Sequence, residues 1–331
     1  MEDLCSLMFE LSSEDRLSIL HRIKQKAMNI SNLSKELSLT TQESSRHASR
    51  LSDAGLTQKD SNGLYHLTMY GDLVLKQIEG LRFTSQHREY FTSHSLVHIP
   101  QEFVYRLGDL ANSTYVNDIS VAFYNVEKLM KEAEDYIWAI TDHYLLSQMP
   151  LYTETFEREV KVRNIEAKDW VTPSEIKEAY RNLQPEHRRA AFQARTTGIL
   201  EERLLDRLDI YLYMSGKEVG IVCFPFSDGR FDYLGFTSRD ERAHRWCRDI
   251  FQYYWERSRS RGSMAEELYK WIKKRPRAVY VLENIAAGRE ISRGEETVSE
   301  LEAMSLVKEG KLTILGDIVH AKLRDETRLI V

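Results

Sequence analysis

Apolar residues near the start of the chain recur every three or four positions, a spacing that predicts successive amphipathic helices. In the first helix, Leu17, Leu20 and Ile23 share one face, and the pattern stops at Asn29. Residues 12–15, Ser-Ser-Glu-Asp, supply a capping serine and first-turn acids for the exposed amides of a helix start. We therefore expect the first helix to begin there.

Two more helices are expected in the next thirty or so residues. A short helix, capped by Ser31, carries Leu33 and Leu37 on its inner face. A longer helix covers residues 41–54, where polar residues outnumber the few apolar ones. A helix that enters the major groove of DNA needs a polar face of this kind. The third helix is therefore the candidate recognition helix.

Residues 56–67 have the pattern of a β-hairpin. Two short arms flank the tip Asp60-Ser61-Asn62-Gly63, and Asn-Gly favours the positive backbone angles of a tight turn. Gly55 ends the third helix before the hairpin, and a further helix is expected at 69–78. This order of elements predicts a winged helix-turn-helix domain, which we place at residues 1–85.

The middle of the chain alternates between helical and β-rich patterns, which indicates an α/β domain. A polar linker at 79–95 precedes this domain, which we place at residues 86–260. The pattern predicts helices at 126–133 and 155–162, a buried strand at 135–142, a strand meander at 210–236 and a closing helix.

A shortened copy of the hairpin region recurs near the C-terminus. Residues 299–319 align with residues 49–74, so that Leu306 falls on Leu56 and Gly316 falls on Gly71. Residues 290–302 contain five glutamates and one arginine, which would repel phosphates where a recognition helix should attract them. We expect residues 263–331 to form a degenerate winged-helix-like module that packs or dimerises. A chance similarity between short motifs is the alternative.

These patterns predict a multi-domain α+β protein, and the length of 331 residues agrees with two or three domains. The composition, with 42% hydrophobic and 29% charged residues, is typical of a soluble globular protein. No run of about 18 apolar residues could span a bilayer, and the acidic start MEDLCSLMFE is unlike a secretory signal. We expect a cytoplasmic protein without membrane association.

The cysteines and the known catalytic motifs add little chemistry. Cys5, Cys223 and Cys247 are far apart and show no zinc-binding spacing, which favours reduced thiols in a reducing compartment. No nucleophile elbow, phosphate-binding glycine loop or HExxH motif unites the histidines and acids of the middle region. We expect no enzyme activity, no cofactor and no metal.

The charge of the whole chain, −5, is unusual for a nucleic-acid binder, since cations that neutralise phosphates supply much of the affinity for DNA. The charge of the first domain is different. Residues 16–59 contain eight basic and three acidic residues, a net charge of +5. A cationic surface is therefore expected where the helix and hairpin signals occur, although an ordinary solvated surface is the plainer interpretation of charge alone.

The expected contacts to duplex DNA come from the third helix and the hairpin. Within this set, Gln42, Ser45 and Arg46 are expected at base edges, since the start of a recognition helix reaches them. Lys59 and Asn62 are expected on the backbone or in the minor groove, and an ordinary surface histidine is the simpler interpretation of His47. The full set is Gln42, Ser44, Ser45, Arg46, His47, Arg50, Lys59 and Asn62.

The middle domain offers candidate ligand residues. Aromatic side chains there would suit an apolar pocket, and a guanidinium would suit an anionic effector. Packing in a core, and solvated ion pairs between Arg195 and the adjacent Glu201 and Glu202, are the simpler explanations. The candidates are Trp138, Tyr144, Arg195, Phe224 and Tyr233.

Three motifs together resemble a known family. They are HSLVHIPQEFVYRLGDL, EDYIWAIT and FPFSDGRFDYLGFTSRDERAHRWCRDIFQYYW. With the N-terminal pattern, residues 1 to about 260 resemble archaeal transcriptional regulators that join a winged helix to a methanogenesis-regulator middle domain. The resemblance implies an α/β middle domain that senses a small molecule or supports dimerisation. The last 69 residues depart from the family's usual end.

The sequence thus predicts a sequence-specific DNA-binding transcriptional regulator with an effector-sensing or dimerising middle domain. A homodimer is expected, because one short recognition helix reads only a few base pairs and two can read a palindrome. The rival hypothesis is a protein-interaction adaptor that uses winged helices as docking modules, and the acidic balance of the chain favours it.

Overall fold

The computed structural model of the chain describes residues 2–142, 148–168, 185–261, 264–289, 291 and 296–328. They form two compact units: an N-terminal unit up to Glu89 with Tyr105–Ala111, and a second unit of Tyr90–Val104 with the residues from Asn112 onward. Helices and a large mixed sheet confirm the expected multi-domain α+β class. The three domain limits stay a prediction.

The N-terminal unit contains five helices and a two-stranded antiparallel hairpin. Its elements are α1 (Glu2–Leu11), α2 (Glu14–Gln25), α3 (Ile30–Leu37), α4 (Thr41–Asp53), β1 (Thr57–Lys59), β2 (Tyr65–Leu67) and α5 (Met69–Gln86). A 3₁₀ turn at Leu107–Leu110 also belongs to it. The short helices α6 (Arg88–Ser93) and α7 (Gln101–Tyr105) lie along the chain between α5 and this turn.

Side-chain caps fix where these helices begin. Ser13 caps α2 as predicted, but Asn29 rather than Ser31 caps α3. Thr40 and Glu43 form a reciprocal capping box at the start of α4, which satisfies two backbone amides at once. Thr68 caps α5 through the amide of Gly71.

Apolar faces of the helices pack into one core. Its fully buried members come from α2, α3, α4, α5 and the residue before the hairpin: Ile19, Leu20, Leu33, Ala48, Leu51, Leu56 and Leu75. The predicted polar linker at 79–95 is mostly helical instead, because α5 runs on to Gln86 with Phe83 fully buried. Helix α1 was not predicted.

The second unit, which we call the sheet unit, is built on an eight-stranded mixed sheet. The strand order is β10-β6-β5-β4-β7-β8-β9-β3, in which β4, β5 and β6 are parallel and the other pairs are antiparallel. The strands are β3 (Thr114–Val116), β4 (Tyr136–Thr141), β5 (Lys161–Ala167), β6 (Leu200–Leu205), β7 (Tyr211–Ser215), β8 (Val219–Cys223), β9 (Gly235–Ser238) and β10 (Arg259–Ser260).

Helices cover both faces of this sheet. On one face, side chains of α8 (Ile119–Glu132), α9 (Met149–Glu157) and α10 (Pro185–Thr197) belong to one hydrophobic cluster with Ile137 and Ala139 of β4. Trp138 lies between Ile137 and Ala139 in sequence, and its ring stacks on Phe251 of α11 (Glu241–Arg257). Because successive side chains of a strand point to opposite faces, α11 covers the other face.

One predicted helix in this region is wrong. Residues 155–162 do not form a helix: α9 ends at Glu157 and β5 begins at Lys161. Residues Val162, Ile165 and their neighbours pair with β4 and β6, which the local pattern could not reveal because these partners lie far away along the chain. The strand at 136–141 and the meander after Ile210 are confirmed.

The C-terminal segment has a hydrophobic cluster of its own. Its elements are α12 (Met264–Lys273), α13 (Pro276–Ala286), α14 (Glu296–Ala303), β11 (Val307–Lys308), β12 (Lys311–Leu312) and α15 (Ile314–Arg328). The cluster joins side chains of all four helices. Its fully buried members include Ile272, Val281, Leu301 and Val319.

The internal repeat seen in the sequence is also a repeat of hydrogen bonds. In the first copy, the Leu56 amide donates to Leu51, and the Thr68 hydroxyl accepts from the amide of Gly71. In the second copy, the Leu306 amide donates to Leu301, and the Thr313 hydroxyl accepts from the amide of Gly316.

The two glycines of the repeat are needed for the same reason. A Cβ on Gly71 would lie 2.1 Å from the Leu56 carbonyl oxygen, and one on Gly316 would lie 2.1 Å from the Leu306 carbonyl oxygen. In each copy, therefore, the helix after the hairpin packs directly on the backbone before it. The matched hydrogen bonds and close approaches show that the two segments share the same local structure.

Candidate nucleic-acid interface

Helix α4 has one face in the core and one in solvent. Ser44, His47, Ala48 and Leu51 are buried at helical spacing. The opposite stripe is exposed and polar, and consists of Gln42, Ser45, Arg46, Ser49 and Asp53. The capping box at Thr40 fixes the start of this helix, so the orientation of both faces is well defined.

Two residues of the predicted contact set lie on the inner face. The Ser44 side chain is fully buried, and its hydroxyl is 2.9 Å from that of Ser34, which donates to it. His47 is 8% exposed, and its Nε2 lies 3.6 Å from a carboxylate oxygen of Asp15. Both hold α4 against the rest of the unit, so neither can reach DNA and the expectation of a surface histidine is wrong.

Arg46 is the exposed cation at the centre of the outer face. Among the residues that the structure describes, no carboxylate oxygen lies within 4.0 Å of its guanidinium. Gln42 precedes it by one helical turn and Ser45 stands next to it, both exposed. These three side chains, predicted at base edges, therefore occupy one accessible stripe.

Arg50 lies at the side of this stripe and is already bound. Its Nε donates to Glu10 at 3.1 Å, and its Nη2 donates to the other carboxylate oxygen of Glu10 at 2.5 Å. The guanidinium carbon also lies 5.1 Å from the centre of the Phe9 ring. A fraction of 39% of the Arg50 side chain stays exposed.

Glu10, on the unpredicted helix α1, connects α1 to α2 and α4. Besides Arg50, it contacts Arg16 at 3.2 Å, and Arg16 in turn donates to the carbonyl oxygens of Phe9 and Glu10 at 2.6 Å. The hydrogen bond from Arg50 holds the pKa of Glu10 below its ordinary value, and the charge of Arg16 acts in the same direction. The amphipathic spacing of Leu7 and Leu11 was the sequence signal for this helix.

This network predicts a pH-dependent loss of stability in Glu10→Gln. A carboxyl whose pKa is lower in the folded chain stabilises the fold above its unfolded pKa, and the stabilisation is lost as the pH falls. We expect Glu10→Gln to lower the free energy of unfolding at pH 7 by about 1 to 3 kcal/mol, as for hydrogen bonds to charged groups. Urea titrations at pH 7 and at about pH 3.5 should show the difference shrinking at the lower pH.

The control is Glu36→Gln, which breaks an exposed pair with Arg22 at 3.9 Å. Such a surface pair contributes about 0 to 1 kcal/mol. A Glu10→Gln deficit of the same size at both pH values would contradict the assigned role of the Glu10 carboxylate.

The hairpin tip is organised by its own side chains. The Asp60 carboxylate accepts from the amides of Asn62 and Leu64 at 2.9 Å and lies 2.8 Å from Nε2 of His66. The hydrogen bond with His66 is the largest cause of a lowered pKa at Asp60. Lys59 and Asn62, the two residues predicted to contact DNA from the hairpin, are exposed beside this turn.

The four predicted ligand residues that the structure describes do not lie in one pocket. Trp138 and Phe224 lie on the sheet face covered by α11, where Phe224 is fully buried near Trp246. On the other face Tyr233 donates to Asp142 at 3.1 Å, and Arg195 forms a two-pronged ion pair with Glu202. Tyr144 lies outside the described residues.

The ion pair of Arg195 differs from the solvated pair that the sequence suggested. The Glu202 side chain is only 7% exposed. Burial raises the pKa of its carboxyl, but the nearby Arg195 and Arg261 outweigh this and hold the pKa below the ordinary value. Arg195 therefore neutralises a buried carboxylate of this chain.

The described part of the chain lacks two kinds of feature. None of its helices is long and apolar enough to cross a membrane. Nor do three or more histidine, cysteine, aspartate or glutamate side chains of this part of the chain meet where they could hold a metal ion.

Comparisons with known proteins give little. No protein-family model matches the chain, and no curated protein matches it. Among solved structures the chain is similar to TrmBL2, described as an archaeal chromatin protein that shows a novel mode of DNA binding. The two are 14% identical with a TM-score of 0.35, over 71% of this chain and 88% of that one. A similarity this small carries no argument about fold or function.

Proposed function

We propose that the protein is a sequence-specific DNA-binding transcriptional regulator, and that its N-terminal unit is a winged helix-turn-helix. Helix α4 would enter the major groove, and the β1–β2 hairpin would be the wing. The observation that carries this proposal is the outer face of α4, where Gln42, Ser45 and Arg46 form an exposed stripe. The local charge of residues 16–59, +5, supports it by attracting phosphates.

The proposed contacts follow from the chemistry of each side chain. Arg46 can donate two hydrogen bonds to a guanine edge, and Gln42 can pair with adenine. Lys59 and Asn62 at the hairpin tip would bind the sugar-phosphate backbone or the minor groove. Arg50 remains within reach of a phosphate, but Glu10 already neutralises it, so we expect it to contribute less than Arg46.

Arg46→Ala tests this proposal. A duplex is first selected from a random-sequence pool by the wild-type chain, and affinities are then measured for this duplex and for versions with single base-pair changes. Loss of a two-pronged contact costs about 1 to 3 kcal/mol of discrimination at one base pair. We expect Arg46→Ala to bind the selected duplex about 5- to 150-fold more weakly and to lose preference at one position.

Arg82→Ala is the matched control, since it removes an exposed arginine of the same unit that pairs with Glu79 at 2.9 Å. It should leave affinity and base preference unchanged. If Arg46→Ala also binds like the wild type, α4 is not the recognition helix. Retained binding to a protein partner without any duplex binding would favour the adaptor hypothesis.

The remaining parts of the proposal concern assembly and control. A homodimer would place two α4 helices on the two halves of a palindrome. A small molecule bound by the sheet unit would change DNA affinity only if it favoured one arrangement of the two recognition helices. Sedimentation of the chain with and without the selected duplex measures the first point directly.

A further inference from the structure

The corner between α12 and α13 carries the densest positive charge in the chain. Between Leu268 and Leu282 there are five basic residues and no acidic one. All five side chains are exposed. This cationic corner consists of Lys270, Lys273, Lys274, Arg275 and Arg277.

Aromatic rings hold several of these cations in place. The Arg275 guanidinium carbon lies 4.0 Å from the centre of the Trp271 ring, and its Nη1 donates to the Trp271 carbonyl oxygen at 3.2 Å. Arg277 lies 5.0 Å from the ring of Tyr280, which is 54% exposed. A cation over a ring is attracted to the negative ring face and keeps its charge.

The position of the corner is not where the internal repeat would put a DNA contact. In the second copy of the repeat, α14 takes the place of α4. Its exposed side chains include Glu296, Glu300 and Glu302, which repel phosphates. The positive surface of this segment lies instead on α12 and α13, which come before α14 and the hairpin in the sequence.

We propose that the cationic corner binds the phosphate backbone of duplex DNA without regard to base sequence, as a second contact surface in addition to α4. This inference rests on the proposed function, in which the chain already meets a duplex. Duplex DNA carries about one negative charge per 1.7 Å of its axis, so five cations within eight residues can contact several phosphates at once.

The apolar residue of the corner argues against a membrane surface. Ile272, the aliphatic side chain among residues 270–277, is fully buried in the core of the segment. A helix that lies in a membrane interface needs an exposed apolar face beside its cations. The corner offers charge and aromatic edges, which suit a phosphate backbone.

The test uses the full chain and a duplex of about 25 base pairs that lacks the selected sequence. The variant Lys273→Ala, Lys274→Ala, Arg275→Ala is titrated at several salt concentrations. Each lost phosphate contact lowers the slope of log affinity against log salt by about 0.9, so we expect the slope to fall by about 2 to 3. A variant with these positions exchanged between lysine and arginine should keep the wild-type slope.

The control removes the same charge elsewhere, by Lys131→Ala, Lys161→Ala, Lys308→Ala, all of them exposed positions. Its slope should equal that of the wild type. Thermal unfolding of both triple variants should match the wild type, because the replaced side chains are on the surface.

Four outcomes are separable. An unchanged slope in the corner variant, with Arg46→Ala still defective on the selected duplex, overturns the inference and leaves the proposed function standing. A lowered slope with Arg46→Ala unaffected supports the corner and overturns the role of α4. Equal losses in the corner variant and its control overturn the inference, as does corner-dependent binding to vesicles of anionic lipid without corner-dependent binding to DNA.

Discussion

Gly71→Ala is expected to unfold the N-terminal unit and, with it, to remove the preference for the selected duplex. The new Cβ would lie 2.1 Å from the Leu56 carbonyl oxygen and 2.9 Å from Cδ1 of Leu67. That carbonyl accepts the amide of Thr68, so it cannot move aside without breaking the closure of the hairpin. Overpacking of a core usually costs about 1 to 3 kcal/mol, and a clash with a fixed backbone atom should reach or exceed the upper value.

Gly80→Ala is the control on the same helix. The nearest atom to its added Cβ would be the Gly108 amide nitrogen at 3.6 Å, an ordinary contact. Alanine is favoured over glycine inside a helix by about 0.5 to 1 kcal/mol, so this variant should be at least as stable as the wild type. Urea unfolding followed by circular dichroism would compare the three chains, and a wild-type midpoint for Gly71→Ala would contradict the close approach.

Local patterns predicted the helices and hairpin of the N-terminal unit well, because the residues that decide each element are close together in sequence. The turn depends on Asp60 and Gly63, three residues apart, and the helix starts depend on Ser13 and Thr68 capping nearby amides. The repeat at Gly316 was visible for the same reason. Each of these features is decided within a few residues of the chain.

The set of predicted DNA contacts was harder to predict, because a polar residue is buried or exposed according to the helix face on which it lies. Ala48 and Leu51 define the inner face of α4, and counting back by three or four positions from them places Ser44 and His47 on that face. The sequence held this signal, but polarity alone assigned both residues outward. The pairing of Arg50 with Glu10 spans 40 residues, and no local pattern contains it.

In the sheet unit the decisive contacts are all long-range. Whether Trp138 and Arg195 share a pocket depends on which sheet face each occupies, and that follows from strand order, which is set by pairings such as β4 with β5 and β7. The predicted helix at 155–162 failed for the same reason. A short apolar run reads equally as helix or strand until its neighbours are known.

Replacement of Arg261 is the second change with a large expected effect on stability, because Arg261 belongs to a buried charge cluster in this sheet. The Glu166 side chain is 6% exposed, and its carboxylate oxygen lies 2.8 Å from Nη1 of Arg261. The same nitrogen lies 3.2 Å from Glu202, which also pairs with Arg195. Arg261 thus neutralises one buried carboxylate and shares in neutralising a second.

Arg261→Ala is therefore expected to destabilise the sheet unit. Removing one partner of a buried pair leaves an uncompensated charge, at a cost of about 3 to 5 kcal/mol. Arg261 is itself 37% exposed, so water can partly replace it, and we expect a loss of about 3 kcal/mol, at the lower end. Denaturant titration followed by tryptophan fluorescence reports on this unit, because all five tryptophans of the chain follow residue 112.

The neighbouring Arg259 provides a matched comparison, because it pairs with Asp206 at 2.8 Å while both side chains are about two-thirds exposed, at 67% and 70%. Arg259→Ala should cost about 0 to 1 kcal/mol. Adding Glu166→Gln to Arg261→Ala removes the stranded charge, so the double variant should be more stable than Arg261→Ala alone. If it is less stable, the deficit comes from lost packing of the Arg261 side chain, and the buried carboxylate is not its cause.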